Sequence, residues 1–175
     1  MMKFKTALVV GGTGMLAKAT LYLADHASQL ILVSRDSHAT AKRLGLSGAN
    51  GVSADWTTAP AFLAATKPVI DRFPPDLIVL WMHQSGRDTR QGLLDMVRNS
   101  NCRIVDIHGS GGGNVQDRVA QRRLEVVQAG CRYTAVVLGS VPEHDGSLRW
   151  LTHDEISRGV IQAIETQNDC VVGSI

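Results

Sequence analysis

The chain has 175 residues, of which 44% are hydrophobic and 19% are charged, and its formal net charge is +2. This length and composition are typical of a single globular domain with a sizeable core, which we expect to span residues 1–175. The small net charge, without a cluster of lysine and arginine, argues against a nucleic-acid partner. No apolar run approaches the roughly 20 residues that cross a bilayer, so we expect no membrane partner either.

Short, continuous apolar runs recur along the chain, as in parallel strands that are buried on both faces. We predict strands at 7–10, 30–33, 77–81, 104–107 and 135–138, a shorter strand at 51–53, and an edge strand at 170–172.

Amphipathic stretches separate these runs and predict helices. Pro60 lies near the first turn of one, Asn114 caps another, and Thr152 with Glu155 forms a capping box at the last. The alternation predicts an α/β fold: a three-layer, doubly wound parallel sheet (Rossmann fold) with strand order 3-2-1-4-5-6. The predicted buried faces are Met15, Leu16, Ala19 and Leu23; Phe62, Ala65, Val69 and Ile70; Val119, Ala120, Leu124 and Val127; and Ile156, Val160 and Ile164.

A glycine-rich segment follows the first apolar run. Gly12, Gly14 and Ala17 fit the pattern G-x-G-x-x-G/A, between a predicted strand and a predicted helix. The glycines permit a tight turn and a close approach of the backbone to a pyrophosphate, and the free N–H groups of the helix would hold the phosphates. The segment therefore predicts a dinucleotide site. Its residues are Gly11, Gly12, Thr13, Gly14, Met15 and Leu16.

The end of the second strand indicates which dinucleotide binds. In this fold an acidic residue there selects NAD, whereas an arginine accommodates the 2′-phosphate of NADP. Ser34 and Arg35 stand at that point, and a guanidinium takes a phosphate with two hydrogen bonds. Asp36 would serve an NAD ribose if the strand ended later, and Arg35 would then be a solvated residue at the start of a helix. We expect NADP, with NAD as the alternative.

At these residues the chain resembles the short-chain dehydrogenase/reductase superfamily. Segment 9–17 resembles the glycine motif of its atypical members, and 52–55 the segment whose aspartate, here Asp55, borders the adenine ring. Segment 103–110 is similar to the strand that ends in the catalytic serine, here Ser110, and 132–139 to the sixth strand. The resemblance implies an NAD(P)-dependent oxidoreductase.

The chain departs from that superfamily at its catalytic pair. Classical members carry Tyr-x-x-x-Lys, in which the lysine lowers the pKa of the tyrosine that exchanges a proton with the substrate. Here Tyr22 is followed four residues later by His26, and Tyr133 by Val137. We therefore do not expect the classical tyrosine-dependent chemistry.

Other side chains follow the predicted strands at the edge where ligands of this fold bind. His83, His108 and Ser110 are the candidate catalytic residues, because either histidine can relay a proton and the serine can bind a carbonyl oxygen. Trp81 and His83 are placed beside the cofactor. As alternatives, each histidine is a loop residue or a contact to a cofactor phosphate or ribose.

Two later segments complete the predicted site. Arg149 and Trp150 would close over a ligand in one interpretation. In the other, which we expect, the Trp150 indole packs the start of the last helix against the core. A group of charged residues on the preceding helix is interpreted as a solvated face, which weakens the expectation of a homodimer without excluding one. These residues are Asp117, Arg118, Arg122, Arg123 and Glu125.

The sequence thus leads to three functional hypotheses. The first is an atypical short-chain oxidoreductase that transfers a hydride between NADP(H) and a small carbonyl or conjugated molecule. The second is a non-catalytic NADP(H) sensor, and the third a domain for another nucleotide. We expect no metal. The N-terminal stretch superficially resembles a secretory signal, but its removal would delete the first strand, so we expect a cytoplasmic protein with three reduced cysteines.

Overall fold

The computed structural model describes residues 2–11 and 14–175. Within these residues seven strands form one parallel sheet. The strands are β1 (Phe4–Val10), β2 (Ala27–Ser34), β3 (Asn50–Ser53), β4 (Leu77–Trp81), β5 (Arg103–Gly109), β6 (Arg132–Leu138) and β9 (Cys170–Val172), and a separate pair is formed by β7 (Val141–Pro142) and β8 (Leu148–Arg149). The order across the large sheet is β3-β2-β1-β4-β5-β6-β9, which confirms the predicted order and the seventh edge strand.

Helices lie on both faces of this sheet. Apolar residues of α1 and α6 pack on one face, and those of α3, α4 and α5 on the other, which gives the three predicted layers. The helices are α1 (Ala17–His26), α2 (Ser37–Leu44), α3 (Ala59–Arg72), α4 (Arg87–Met96), α5 (Val115–Gln128) and α6 (His153–Thr166). Among the described residues, no helix is both long enough and apolar enough to cross a membrane.

The predicted helix starts are confirmed. Pro60 lies in the first turn of α3. The Asn114 side chain accepts a hydrogen bond from the Asp117 N–H at 3.1 Å and so caps α5. Thr152 and Glu155 exchange both hydrogen bonds of a capping box at α6. These short polar motifs satisfy N–H groups that a helix leaves free at its first turn, which is why they mark its start.

The predicted buried face of α5 is wrong apart from Val119, which is half-buried against the core. Leu124 and Val127 are 52% and 56% exposed, whereas Arg122 and Val126 are buried. The helix is rotated because the Arg122 guanidinium reaches a carboxylate beneath it, an interaction that a hydrophobic pattern does not register. On α3, likewise, Ala65 is exposed and Thr66 is buried, since the Thr66 hydroxyl donates to the Phe62 carbonyl at 2.9 Å.

Trp150 does not staple the last helix to the core, contrary to expectation. Its side chain is 56% exposed, and its neighbour Leu151, at 3%, is the one that is buried. Arg149 belongs to a small antiparallel pair, β7 (Val141–Pro142) with β8 (Leu148–Arg149), and forms ion pairs with Glu143 and Glu155. Leu151, an aliphatic residue, thus anchors the start of α6 in the core, whereas the Trp150 indole lies on the surface.

The three cysteines are free. Cys102 and Cys131 are buried and Cys170 is half-buried. Burial raises the pKa of the Cys131 and Cys170 thiols above the ordinary value. They are packing residues rather than nucleophiles.

Candidate functional site

Two neighbouring cavities open beyond the carboxyl ends of the strands. The β2–β3 cavity has a volume of about 630 Å³, and the α4–α5 cavity a volume of about 990 Å³. Trp81, the last residue of β4, lines both, so the two cavities adjoin at this residue, and together they are called the trough. The β2–β3 cavity is defined by Ser34, Arg35, Arg43, Asp55, Trp56 and Trp81. The α4–α5 cavity is defined by Trp81, His83, Arg90, His108, Arg118 and Arg122.

Gly11, the residue directly after β1, lines the β2–β3 cavity. Gly11 adopts φ +74°, and a Cβ atom there would lie 2.3 Å from the Trp81 carbonyl oxygen, so only glycine fits. Gly14 is exposed. Gly12 and Thr13, two of the predicted cofactor residues, lie outside the described residues.

The N–H groups at the start of α1 are partly engaged. The first turn carries no acidic residue and has no N-cap side-chain bond, but the Ala17 and Ala19 N–H groups already donate, the second of them to the Ser157 hydroxyl at 3.4 Å. Of the predicted cofactor residues here, Met15 is half-buried, but the Leu16 side chain is fully buried in the core. Leu16 can therefore reach a ligand only through its main chain.

The end of β2 presents two guanidinium groups to the β2–β3 cavity. Arg35 and Arg43 are exposed, and neither forms an ion pair with any residue that the structure describes. The Ser34 hydroxyl lies 3.2 Å from that of Thr40. Arg43 was missed from sequence, because it lies a full helix away from the strand end and becomes a neighbour only through the turn of α2.

The two carboxylates of this region are both engaged. Asp36 accepts a hydrogen bond from the Ala39 N–H at 3.0 Å and caps α2, so the strand ends before it. Asp55 accepts two hydrogen bonds from Thr57, at 2.9 and 2.7 Å. These bonds, together with the nearby Arg35 charge, hold the pKa of Asp55 below its ordinary value.

Aromatic rings form the wall where the two cavities meet. The His83 ring lies 5.5 Å from the Trp81 ring, edge-on, and 5.9 Å from the Trp56 ring. His83 is exposed at the mouth of the α4–α5 cavity. This position suits a contact with a bound ring or with solvent.

His108 lies deeper in the same cavity and is 4% exposed. Its Nδ1 is 3.4 Å from the Gly109 carbonyl oxygen, and its Nε2 is buried with no hydrogen-bond partner among the described residues. A carbonyl oxygen only accepts, so this contact favours the tautomer with the proton on Nδ1 and the lone pair on Nε2. Burial lowers the pKa of His108, and the Arg122 charge adds to that effect.

Ser110 is not among the residues that line the α4–α5 cavity. It is half-buried, its N–H donates to the Leu138 carbonyl at 2.9 Å, and its neighbours Gly109 and Gly111 do line the cavity. The structure thus brings Trp81, His83 and His108 together at this cavity and leaves Ser110 at its edge.

A buried charge network behind the cavity was missed from sequence. Arg122 donates to both carboxylate oxygens of Asp106, and the Tyr133 hydroxyl donates to Asp106 at 2.9 Å. On the adjacent wall Arg90 pairs with Glu125 at 3.5 Å. Arg122 and Glu125 therefore do not belong to a solvated face. The one available signal was the aspartate inside the apolar run 104–107, since a carboxylate in a buried strand needs a cationic partner.

The similarity of this chain to known proteins lies in its three-dimensional structure. Neither a protein-family model nor a curated protein sequence matches the chain. An NADH-dependent reductase complexed with NAD has 16% identity and a TM-score of 0.68, with 98% of this chain and 96% of that one covered. A short-chain dehydrogenase/reductase from Serratia marcescens has 15% identity and a TM-score of 0.66, with 97% of each chain covered. A ribose-5-phosphate isomerase from Brucella melitensis has 15% identity and a TM-score of 0.72, with 97% of this chain and 91% of that one covered.

These matches share the parallel sheet and its helical layers over nearly the whole chain. The fold is that of the short-chain dehydrogenases/reductases. Because one structure of similar shape is named an isomerase, this short-chain dehydrogenase fold fixes no reaction by itself, and the function has to be argued from the site.

The fifth helix, α5, carries no tyrosine–lysine pair. The sequence of α5, VQDRVAQRRLEVVQ, contains neither tyrosine nor lysine. Arg118 and Arg122 stand four residues apart on it, and both line the α4–α5 cavity. Tyr133 offers no substitute, because burial and its hydrogen bond to Asp106 raise the pKa of its phenol. Any proton transfer at this site falls to other groups.

Proposed function

We propose that the protein is an NADP(H)-dependent oxidoreductase of short-chain dehydrogenase/reductase type, which transfers a hydride between NADP(H) and a small carbonyl or conjugated substrate. The observation that carries the proposal is the trough, whose two cavities adjoin at Trp81. Its β2–β3 end presents two arginines with no carboxylate partner among the described residues, and its α4–α5 end contains a buried histidine nitrogen with a free lone pair. Trp81 joins the two ends.

The β2–β3 end suits the adenosine half of the cofactor. Arg35 and Arg43 would bind a 2′-phosphate, and main-chain N–H groups near the start of α1 would bind the pyrophosphate. Asp36 is less suited to an NAD ribose, because it already caps α2. The NADH-dependent reductase of similar fold, complexed with NAD, supports a nicotinamide cofactor in general.

The α4–α5 end suits the reacting half. The cofactor, when bound, supplies or takes the hydride. His108 would exchange the proton: its Nε2 accepts the proton of a substrate hydroxyl during oxidation and returns it to the oxygen during reduction. His83 at the mouth would cover the bound ring, and Ser110 would contribute only after a small movement of its glycine-rich loop.

The cofactor assignment is tested by titration with NADPH and with NADH, followed by the fluorescence of the reduced ring. We expect a preference for NADPH that falls by about 10- to 100-fold in Arg35→Ala, the range for one charge-assisted hydrogen bond. Lys42→Ala is the matched control, because Lys42 is an exposed cation on the same helix as Arg43 but does not line the cavity. An unchanged preference in Arg35→Ala would contradict the 2′-phosphate site, and absence of binding by either cofactor would contradict a dinucleotide site altogether.

The second candidate is a non-catalytic NADP(H) sensor. It is favoured by one observation, namely that α5 has arginines where the classical superfamily has its tyrosine and lysine. A panel of carbonyl compounds, quinones and flavins separates the two. Oxidation of NADPH that is lost in His108→Gln supports the enzyme, whereas tight NADPH binding without turnover of any compound supports the sensor.

A further inference from the structure

We propose that the α4–α5 cavity binds the carboxylate of an acidic substrate, with Arg90 as the anchoring residue. The inference deepens the proposed function and rests on it: the substrate class becomes oxo acids, reduced to hydroxy acids.

Arg90 is a buried cation with spare hydrogen-bonding capacity. It projects from α4 and lines the cavity, and its side chain is 5% exposed. Its one ion pair among the described residues, with Glu125, is loose at 3.5 Å, and its Nη1 is buried without any partner there. A guanidinium stays charged at all physiological pH. An unpaired buried nitrogen on it therefore destabilises the folded protein unless a ligand accepts its hydrogen bond.

The charges around Arg90 favour an anion. Four arginines and two carboxylates are among the residues that line the cavity. Arg122 is satisfied by Asp106. Arg87 and Arg118 have no carboxylate partner within the described chain, and Arg118 donates instead to the carbonyls of Gly109, Gly111 and Gly112. The mouth of the cavity therefore attracts a negative charge, and its buried wall has a donor for it.

His108 supplies the second point of recognition. It lines the same cavity, and its free Nε2 is an acceptor in the tautomer that the Gly109 contact favours. A ligand that satisfies both residues carries an anionic oxygen for Arg90 and a hydroxyl for His108. During oxidation of such a hydroxy acid the hydroxyl proton passes to Nε2, the hydride passes from the adjacent carbon to NADP⁺, and the oxo acid and NADPH result. Reduction of the oxo acid runs through the same steps in reverse.

A carboxylate fits the buried wall better than a phosphate. A phosphate brings up to two charges and three strong acceptor oxygens, which need several donors. The buried wall offers one unpaired guanidinium nitrogen, beside the Glu125 carboxylate. A single carboxylate is matched to this supply, whereas a second negative charge would repel Glu125.

The test begins with binding, so that it does not depend on turnover. In the presence of saturating NADPH, calorimetry compares benzoate with its neutral isostere benzamide, and with inorganic phosphate. Because removal of Arg90 alone leaves the Glu125 carboxylate without its ion pair, the test variant is the double substitution Arg90→Met with Glu125→Gln. Arg98→Met is the matched control, since Arg98 is an exposed arginine that pairs with Asp95 and does not line the cavity.

We expect benzoate to bind at least about 10-fold more tightly than benzamide or phosphate, and this preference to disappear in the double variant but not in Arg98→Met. Equal binding of benzoate and benzamide by the unaltered protein, phosphate that binds as tightly as benzoate, or a preference that survives the double variant would each overturn the proposal. Turnover adds a separate readout: 2-oxo acids should be reduced with a higher kcat/KM than their methyl esters. Benzoate binding without turnover of any compound would contradict the proposed enzyme function but not the carboxylate site.

Discussion

Arg122 on α5 donates through Nη1 to both carboxylate oxygens of Asp106 on β5, at 3.0 and 2.8 Å, and the two side chains are only 5% and 1% exposed. This pair lies under the α4–α5 cavity and fixes the rotation of α5, because a buried carboxylate has to be met by a donor. Loss of one partner leaves the other as an uncompensated charge in the interior.

We therefore expect Arg122→Met to lower the free energy of unfolding by about 3–5 kcal/mol. The double substitution Arg122→Met with Asp106→Leu should recover much of that loss, since it leaves no stranded charge. Urea unfolding measures both. Arg98→Met, which breaks an exposed pair with Asp95, should change stability by no more than about 1 kcal/mol. Equal effects at the buried and exposed pairs would contradict this account.

The approach of Gly11 to the Trp81 carbonyl gives a second prediction. Gly11→Ala puts a methyl group 2.3 Å from that oxygen at φ +74°, so β1 and β4 have to separate at the edge that borders the trough. We expect a loss of about 1–3 kcal/mol in stability and weaker NADPH binding, measured by urea unfolding and by titration. Gly48→Ala is the control, because nothing lies within 4 Å of a Cβ atom there. Unaltered NADPH binding by Gly11→Ala would show that the turn does not border the cofactor.

The burial of His108 predicts a dependence of stability on pH. Its pKa is held below the ordinary value of 6.5, chiefly by burial, so the unfolded chain takes up this proton at a higher pH than the folded chain does. The contribution of the neutral imidazole to stability is thus complete above pH 6.5 and declines as the pH falls towards the folded pKa.

Urea unfolding at pH 7.5, 6.5 and 5.5, compared between the unaltered protein and His108→Gln, measures this effect. The unaltered protein should lose more stability towards the acid end than the variant. Substitution of the exposed His38 by Gln should leave the pH dependence of the unaltered protein in place. Parallel pH profiles for the unaltered protein and His108→Gln would contradict the assignment.

The start of α6 gives a fourth prediction. Leu151→Ala should cost about 2–5 kcal/mol, because Leu151 is 3% exposed and its truncation leaves a cavity in the core. Trp150→Ala should change stability by less than about 0.5 kcal/mol, since its indole is 56% exposed. Thermal unfolding compares the two variants directly, and a larger loss for Trp150→Ala would restore the indole as the anchor of the helix.

The parts of the fold that repeat a local rule were predictable from the sequence. Continuous apolar runs gave the strands to within a few residues, because both faces of a parallel sheet are buried and no alternation is needed. Capping residues such as Asn114 and Thr152 located the helix starts, since their hydrogen bonds span only three residues. Strand order followed from the handedness and connectivity of the βαβ unit.

The site was predictable only where it depended on position along a strand. His83 follows β4, and His108 lies near the end of β5. Their presence at one cavity could therefore be expected. Arg90 and Arg122 could not be placed in this way. Each is buried by a partner on another element, Glu125 and Asp106, and their sequence context is indistinguishable from that of solvated helical arginines.

The packing of α1 against α6 has a consequence for biosynthesis. The Ser157 hydroxyl on α6 donates to the Met15 carbonyl at 2.8 Å, so helices separated by more than a hundred residues share one layer over the same sheet face. As the chain leaves the ribosome, that face of β5 and β6 and the side of α1 turned towards α6 stay uncovered until the last helix has been made. A nascent chain that stalls before residue 153 would present this apolar surface to chaperones and proteases.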